Sequence, residues 1–224
     1  MAHVIIGNAA RRAMTLFTDD DPKDILPFDG TARYIPTFID ADEADRHFTG
    51  LVEETPWEHR HIVLFGREVL QPRLACWYGD HAYSYSGIRL EPRAWTDRLR
   101  ALRDRCSVDS GAEFNSCLVN LYRDGRDSMG WHADDEPELG HEPVIASLSL
   151  GDTRVFRMRH KETKTVVELP LEHGSLLIMS GLMQQCWVHE IPKTKKPVGQ
   201  RINLTFRTII TDADRLFARR RADV

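Results

Sequence analysis

The sequence predicts a mainly β protein with flanking helices, an α+β chain whose core is an antiparallel sandwich or barrel. Three observations lead there. From residue 114 onward, seven short runs of strand-type residues follow one another with turn residues between them and no helical period. Ahead of them, two stretches carry apolar residues at helical spacing. The chain has 224 residues, 42% of them hydrophobic and 29% charged, which suits one ordinary globular core.

Residues 1–35 show no sustained periodicity and carry acidic and Pro/Gly punctuation, as in Asp19-Asp20-Asp21, and read as an extension that wraps the domain. The domain itself is expected over 36–212, with a basic tail at 213–224 that holds Arg219-Arg220-Arg221. Asp40 is an N-cap type followed by a helical stretch over 41–54 that stops before Pro56. Pro92 suits a first helical position, and Trp95, Leu99 and Leu102 then recur at helical spacing, predicting a helix from Pro92 to Arg105. The strands are expected at 114–122, 144–150, 154–160, 164–170, 175–180, 185–191 and 201–209, separated by Asp124-Gly125, Gly151-Asp152 and Gly181. The chain carries no internal repeat and no low-complexity segment.

Composition narrows the classes. No apolar run approaches the roughly 20 residues that span a bilayer. The N-terminus lacks the basic region and apolar stretch of a secretory signal, so a cytoplasmic location is expected, or a nuclear one in a eukaryote. Cys76, Cys106, Cys117 and Cys186 are scattered without a Cys-x-x-Cys pair, which argues against a disulfide framework or a Cys-rich zinc site. The formal net charge is −4, mildly against a nucleic-acid binder. Yet basic residues gather at Arg89–Arg105, at Lys193, Lys195 and Lys196, and in the tail, and a negative protein can present a positive face.

One segment, Gly130-Trp131-His132-Ala133-Asp134-Asp135-Glu136, holds a His-x-Asp pair. In an extended chain residues i and i+2 share a side, so His132 and Asp134 can converge on one metal ion. His189 on a later strand would complete a 2-His-1-carboxylate set, which leaves coordination positions open. The alternative is a pair of surface polar residues in an acidic loop. In Arg201-Ile202-Asn203-Leu204-Thr205-Phe206-Arg207, polar and apolar residues alternate, so one face carries Arg201, Asn203, Thr205 and Arg207. That face lies either in water or along a pocket, where two arginines would hold a small dianion through charge-assisted bonds. Asn120 and Tyr122 share a face in the same way, and both can donate hydrogen bonds.

Taken in order, Asn-Leu-Tyr, His-x-Asp-Asp-Glu, Ala-Ser-Leu-Ser-Leu-Gly, His-Gly-Ser-Leu-Leu-Ile-Met, the late His and Arg-x-Asn-Leu-Thr-Phe-Arg resemble the AlkB family of nucleic-acid dealkylating dioxygenases over residues 60–210. The resemblance implies a double-stranded β-helix (jelly-roll) core at about 110–210, preceded by a nucleotide-recognition lid at about 60–90. It implies Fe(II) as cofactor, with 2-oxoglutarate and O2 as co-substrates. His132, Asp134 and His189 match the iron ligands, and Arg201 matches the arginine that pairs with the distal carboxylate of 2-oxoglutarate. Asn120, Tyr122, Asn203, Thr205 and Arg207 match the remaining co-substrate contacts. No catalytic residue is expected beyond the metal ligands.

For the substrate, the resemblance places Tyr83, Ser84 and Tyr85 in the lid and Asp135 and Glu136 against the damaged base. The run from Trp77 to Gly87 is aromatic, and aromatic rings can sandwich an extruded base. Val63-Leu64-Phe65-Gly66 resembles the finger of duplex-acting members, with Phe65 as its wedge, or else is a buried strand. The expectation is a monomeric demethylase of 1-methyladenine- and 3-methylcytosine-type lesions in DNA. The alternatives are an RNA-base demethylase, a dioxygenase acting on a protein or small molecule, and a non-catalytic jelly-roll module.

Overall fold

Each strand's alternation decides which side of which sheet it builds. The computed structural model describes residues 3–5, 23–64, 67–85, 88–211 and 214. In chain order its elements are β1 (His3–Ile5), β2 (Lys23–Asp24), β3 (Thr31–Ile35), α1 (Ala41–Glu54), β4 (His61–Leu64), β5 (Arg67–Leu70), β6 (Leu74–Gly79), β7 (Tyr83–Tyr85) and β8 (Ile88–Leu90). There follow α2 (Asp97–Ser110), β9 (Ser116–Tyr122), β10 (Met129–His132), a 3₁₀ turn (Pro137–Leu139), β11 (Ile145–Gly151), β12 (Arg154–His160) and β13 (Val166–Leu171). The last are β14 (Ser175–Ser180), a one-turn helix α3 (Met183–Cys186), β15 (Trp187–Ile191) and β16 (Arg201–Arg207).

The larger sheet runs β2-β3-β14-β11-β16-β9-β6 and the smaller β1-β13-β12-β15-β10. From β9 onward the chain crosses repeatedly between the two sheets, which is the jelly-roll winding. Among the described strands every pairing is antiparallel except β1 with β13. Alternation on the larger sheet sorts two cores. Ile202, Leu204 and Phe206 of β16, with Cys117, Val119 and Leu121 of β9, pack outward under α1 and α2. Between the sheets, Tyr122, Ile145, Leu177 and Met179 meet Phe156, Met158, Leu169 and Trp187. All of β16 is buried, so its polar row lies in the protein interior rather than in water.

The 41–54 helix is α1, with Asp40 Oδ1 accepting from the Glu43 N–H at 2.8 Å. The second helix starts later than Pro92. Arg93 is extended, donating to Trp77 O and accepting from Gly79 N–H, and the helix begins after Thr96, whose hydroxyl accepts from Leu99 N–H. It also continues past Arg105 to Ser110, where Gly111 caps it at φ +67°, a left-handed conformation that suits glycine.

Other expectations shift as well. Thr31–Ile35, read as extension, is a strand of the larger sheet paired to β14. Trp77 and Tyr78 of the aromatic run are core residues of β6, 1% and 3% exposed, and not part of a lid. Residues 185–186 belong to α3 rather than to the strand that follows. Cys76, Cys106 and Cys117 are buried free thiols, as expected of reduced core residues. No helix among the described residues is long and apolar enough to cross a membrane.

Candidate metal centre and co-substrate cleft

Two strands bring the histidines together. His132 at the end of β10 stands directly opposite His189 on β15, with ring centroids 4.2 Å apart. The chain leaves β10 after His132, so Asp134 is not placed by strand alternation. Instead its backbone N–H donates to Gln184 Oε1 at 2.9 Å, which anchors the loop to α3. The ligand atoms of His132, Asp134 and His189 then lie within 4.8 Å of one another.

The protonation pattern leaves these atoms free for a cation. His132 Nδ1 sits 2.8 Å from Gly130 O. A carbonyl only accepts, so Nδ1 carries the ring proton and Nε2 presents a lone pair. Asp134 Oδ2 accepts from Arg207 Nη2 at 2.8 Å. Asp134 Oδ1 is buried without a hydrogen-bond partner, 3.9 Å from His132 Nε2. Burial opposes the charge on Asp134, yet Arg207 and the two histidines hold its carboxyl below the usual range. Burial also pushes the His132 pKa down and takes that of His189 down to about 3, so both rings are neutral and ligand-competent at neutral pH. An orphaned carboxylate oxygen beside two neutral imidazoles fits a divalent metal, and the set leaves coordination positions open.

In a second cluster, Asp29, His160 and Cys186, the possible ligand atoms also lie within 4.8 Å of one another. Its chemistry differs. His160 Nδ1 accepts from the backbone N–H groups of Glu162 and Thr163, so its proton sits on Nε2, facing Asp29 Oδ2 at 3.2 Å. That nitrogen has no lone pair for a metal, and the pair instead ties the loop at Asp29 to β12.

The metal-type triad lies in a cleft that Asn120, Tyr122, Asn203, Thr205 and Arg207 also line. Arg201 lies behind the cleft. It is fully buried, with Nη2 donating to Ser149 Oγ at 2.9 Å and Cζ 5.2 Å from the Tyr122 ring. Its Nε and Nη1 have no acceptor among the described residues, and burial lowers its pKa to about 10. Four arginines, Arg73, Arg154, Arg201 and Arg207, are each at most 4% exposed around this cleft. Among the described residues, Arg207 is the one of the four that is ion-paired with a carboxylate of the site. The interior is therefore set up for an anion.

Arg73 and Arg154 escaped the sequence reading. Arg73 Nε donates to Asn120 Oδ1 at 2.8 Å, which turns the amide NH2 of Asn120 away from Arg73. It precedes β6 in Gln71-Pro72-Arg73, where nothing local signals burial. Arg154 opens β12, in which both alternating rows contain cations, so the inward row was ambiguous.

The expected substrate residues are less assembled. Asp135 has a side chain 61% exposed, 3.7 Å from Lys161 Nζ, and Glu136 is half-buried at the head of the 3₁₀ turn. Tyr83, Ser84 and Tyr85 form β7, paired only with β8; their side chains, like Phe65, lie outside the described residues. The hairpin β4–β5 that leads to Phe65 pairs with neither large sheet, and Val69 and Leu70 on it are exposed. Lys193, Lys195 and Lys196 are exposed beyond β15, whereas Arg93 is paired with Glu58 at 3.1 Å.

Comparison with known proteins agrees with this geometry. The family model of the 2OG-Fe(II) oxygenase superfamily matches residues 31–207. Alpha-ketoglutarate-dependent dioxygenase alkB homolog 3 of Homo sapiens is 46% identical over 187 residues, covering 79% of this chain and 65% of that protein. The chain thus spans about two-thirds, slightly less, of that relative's length. DNA oxidative demethylase ALKBH2 of Homo sapiens is 38% identical over 191 residues, covering 81% of this chain and 70% of that protein. The solved structure of OsALKBH1 superposes with a TM-score of 0.58 at 19% identity, over 79% of this chain and 97% of that one, a likeness of fold.

Proposed function

We propose, because this chain belongs to the 2OG-Fe(II) oxygenase superfamily and within it to the AlkB homologues, that it is an Fe(II)- and 2-oxoglutarate-dependent dioxygenase that demethylates N-alkylated bases in DNA. The single observation that carries the reading is the His132, Asp134 and His189 set, with Asp134 Oδ1 lacking a hydrogen-bond partner among the described residues, in a cleft lined by Arg207 with Arg73, Arg154 and Arg201 buried around it. His132, Asp134 and His189 would hold Fe(II), which would supply the chemistry that links oxidative decarboxylation of 2-oxoglutarate by O2 to hydroxylation of an N-methyl group, the hydroxymethyl carbon then leaving as formaldehyde.

The chain's own residues do the rest. Arg207 holds Asp134 ionised, and Gly130 O keeps the His132 proton away from the metal side. Arg201 takes the distal carboxylate of the co-substrate, while Asn120, Tyr122, Asn203 and Thr205 orient and enclose it. Asp135 and Glu136, which follow Asp134 in sequence, would meet the positive ring of 1-methyladenine or 3-methylcytosine. Tyr83, Ser84 and Tyr85 on the β7–β8 ribbon serve as the lid over the extruded base. The exposed lysines past β15 supply phosphate contacts whose strength falls with salt.

The test is mass spectrometry of short oligonucleotides bearing 1-methyladenine or 3-methylcytosine, offered as single-stranded DNA, duplex DNA and RNA with Fe(II), 2-oxoglutarate and air. Loss of one methyl by the native protein and not by Asp134→Ala supports the reading, and the fastest substrate identifies the strand type. Unchanged oligonucleotides alongside succinate production would reject the base assignment while leaving the iron site standing.

A further inference from the structure

Arg154 belongs to the smaller sheet, yet its guanidinium contacts the segments that lead to and from the co-substrate cleft. It is 2% exposed, at the first residue of β12, with its side chain on the inward row. Nη1 donates to Asp124 O at 3.1 Å, and Nη2 donates to Asp127 O at 2.9 Å and to Pro192 O at 2.7 Å. Its Cζ lies 5.7 Å from the centroid of the Tyr122 ring, against which Arg201 also packs.

Those three carbonyls are not scattered. Asp124 and Asp127 lie in the turn that leads from Tyr122 at the end of β9 to β10, which carries His132. Pro192 follows β15, which carries His189. The turn is already closed on itself, with Asp127 accepting from Arg123 N–H and side chain, and it is joined to the second segment where Thr194 N–H donates to Gly125 O. One guanidinium therefore ties together the chain ends of the two strands that deliver the histidines, directly beneath the cleft tyrosine.

Burial of this guanidinium lowers its pKa, and the nearby Tyr122, Asp127 and Asp124 offset that cost only in part. Removing it would take the donor from the carbonyls of Asp124, Asp127 and Pro192, a structural cost in itself. Beside Tyr122 and Arg201 it does two further things: it fixes the tilt of the tyrosine ring through cation–π contact, and it adds positive potential where a dianion is to sit.

We propose that Arg154 is a positioning residue for the dicarboxylate co-substrate, acting through Tyr122 and the 123–128 turn without touching the co-substrate itself. The inference rests on the reading of the cleft as a 2-oxoglutarate site. It goes beyond that reading by assigning a role to a residue on the opposite sheet.

The test is binding rather than turnover. Wild-type protein, Arg154→Gln, Arg154→Lys and Tyr122→Phe are each loaded with Mn(II) and titrated with 2-oxoglutarate by calorimetry; Mn(II) affinity and the thermal midpoint are measured alongside. The expected result is about a tenfold weaker 2-oxoglutarate Kd in Arg154→Gln at unchanged Mn(II) affinity, the size typical of losing a supporting contact. Arg154→Lys, which keeps the charge, should fall between wild type and Arg154→Gln. The double variant Tyr122→Phe with Arg154→Gln should lose little beyond the larger single loss, because the two act through one contact. Equal 2-oxoglutarate affinity in a folded Arg154→Gln would overturn the proposal. So would a parallel fall in Mn(II) affinity, which marks a merely structural role. If Arg154→Gln does not fold, Arg154→Lys decides: affinity equal to wild type rejects the role. Failure of the wild type itself to bind 2-oxoglutarate would reject the co-substrate site and is read separately.

Discussion

Arg207 Nη2 donates to Asp134 Oδ2 at 2.8 Å, and this one bond determines which oxygen of the carboxylate faces the histidines. Both partners are nearly inaccessible, 4% and 2% exposed in their side chains. Replacing Arg207 with Met strands a buried carboxylate, and breaking such a pair costs about 3–5 kcal/mol. The expected outcome in urea unfolding of the metal-free protein is a loss of that order for Arg207→Met. Arg207→Lys, which retains the charge without the planar fork, should lose less. Identical unfolding curves for all three proteins would show that the pair does not hold Asp134.

Acid should weaken the metal-free protein through its buried histidines. His189 has a pKa lowered to about 3 by burial, against about 6.5 in an unfolded chain. Below pH 6.5 the unfolded form therefore takes up a proton that the folded form refuses, so stability is lost as pH falls. Between pH 7.5 and 5.5 this single group accounts for about 1.4 kcal/mol. Urea unfolding at the two pH values should show a smaller difference in His189→Asn than in wild type. An equal difference in both proteins would place the acid sensitivity elsewhere.

The helical layer can be checked apart from the site. Thr96 Oγ1 accepts from Leu99 N–H at 3.2 Å and starts α2. Thr96→Ala should cost about 1 kcal/mol, a shift of a few degrees in thermal midpoint, with no change in metal or co-substrate binding. A midpoint equal to wild type would mean that the cap contributes nothing to this helix.

Much of the site was legible because strand alternation is a local rule. The odd positions of β16 and the Asn120 and Tyr122 pair are set by i and i+2 geometry, and the structure places Asn120, Tyr122, Asn203, Thr205 and Arg207 on one cleft wall with Arg201 behind it. The facing of His132 and His189 was not legible in that way, since cross-strand register is not written in either strand alone. Asp134 sits beyond its strand, held by Gln184 from α3, a contact across about fifty residues with no local signature. Arg73 and Arg154 were missed for the same reason: each is buried by distant carbonyl or amide acceptors. The start of α2 was misread because Pro92 suits a first helical position, while the bridge from Arg93 to β6 keeps the chain extended until Thr96.

If Arg201 holds the distal carboxylate, Arg201→Gln should raise the KM for 2-oxoglutarate by an order of magnitude or more, since a buried charge-assisted contact is worth about 1.5–3 kcal/mol. Mn(II) affinity should be unaffected, because Arg201 makes no contact with the triad. Steady-state succinate production over a range of 2-oxoglutarate concentrations checks it; a KM equal to wild type would remove Arg201 from the co-substrate site.

The central claim is that the His132, Asp134 and His189 centre couples 2-oxoglutarate consumption to removal of a base methyl group. It is tested most directly by counting formaldehyde and succinate released from one 3-methylcytosine oligonucleotide in single-stranded DNA. The expected result is about one formaldehyde per succinate and neither product from Asp134→Ala. Succinate at the same rate with and without the methylated oligonucleotide, and no formaldehyde, would contradict it.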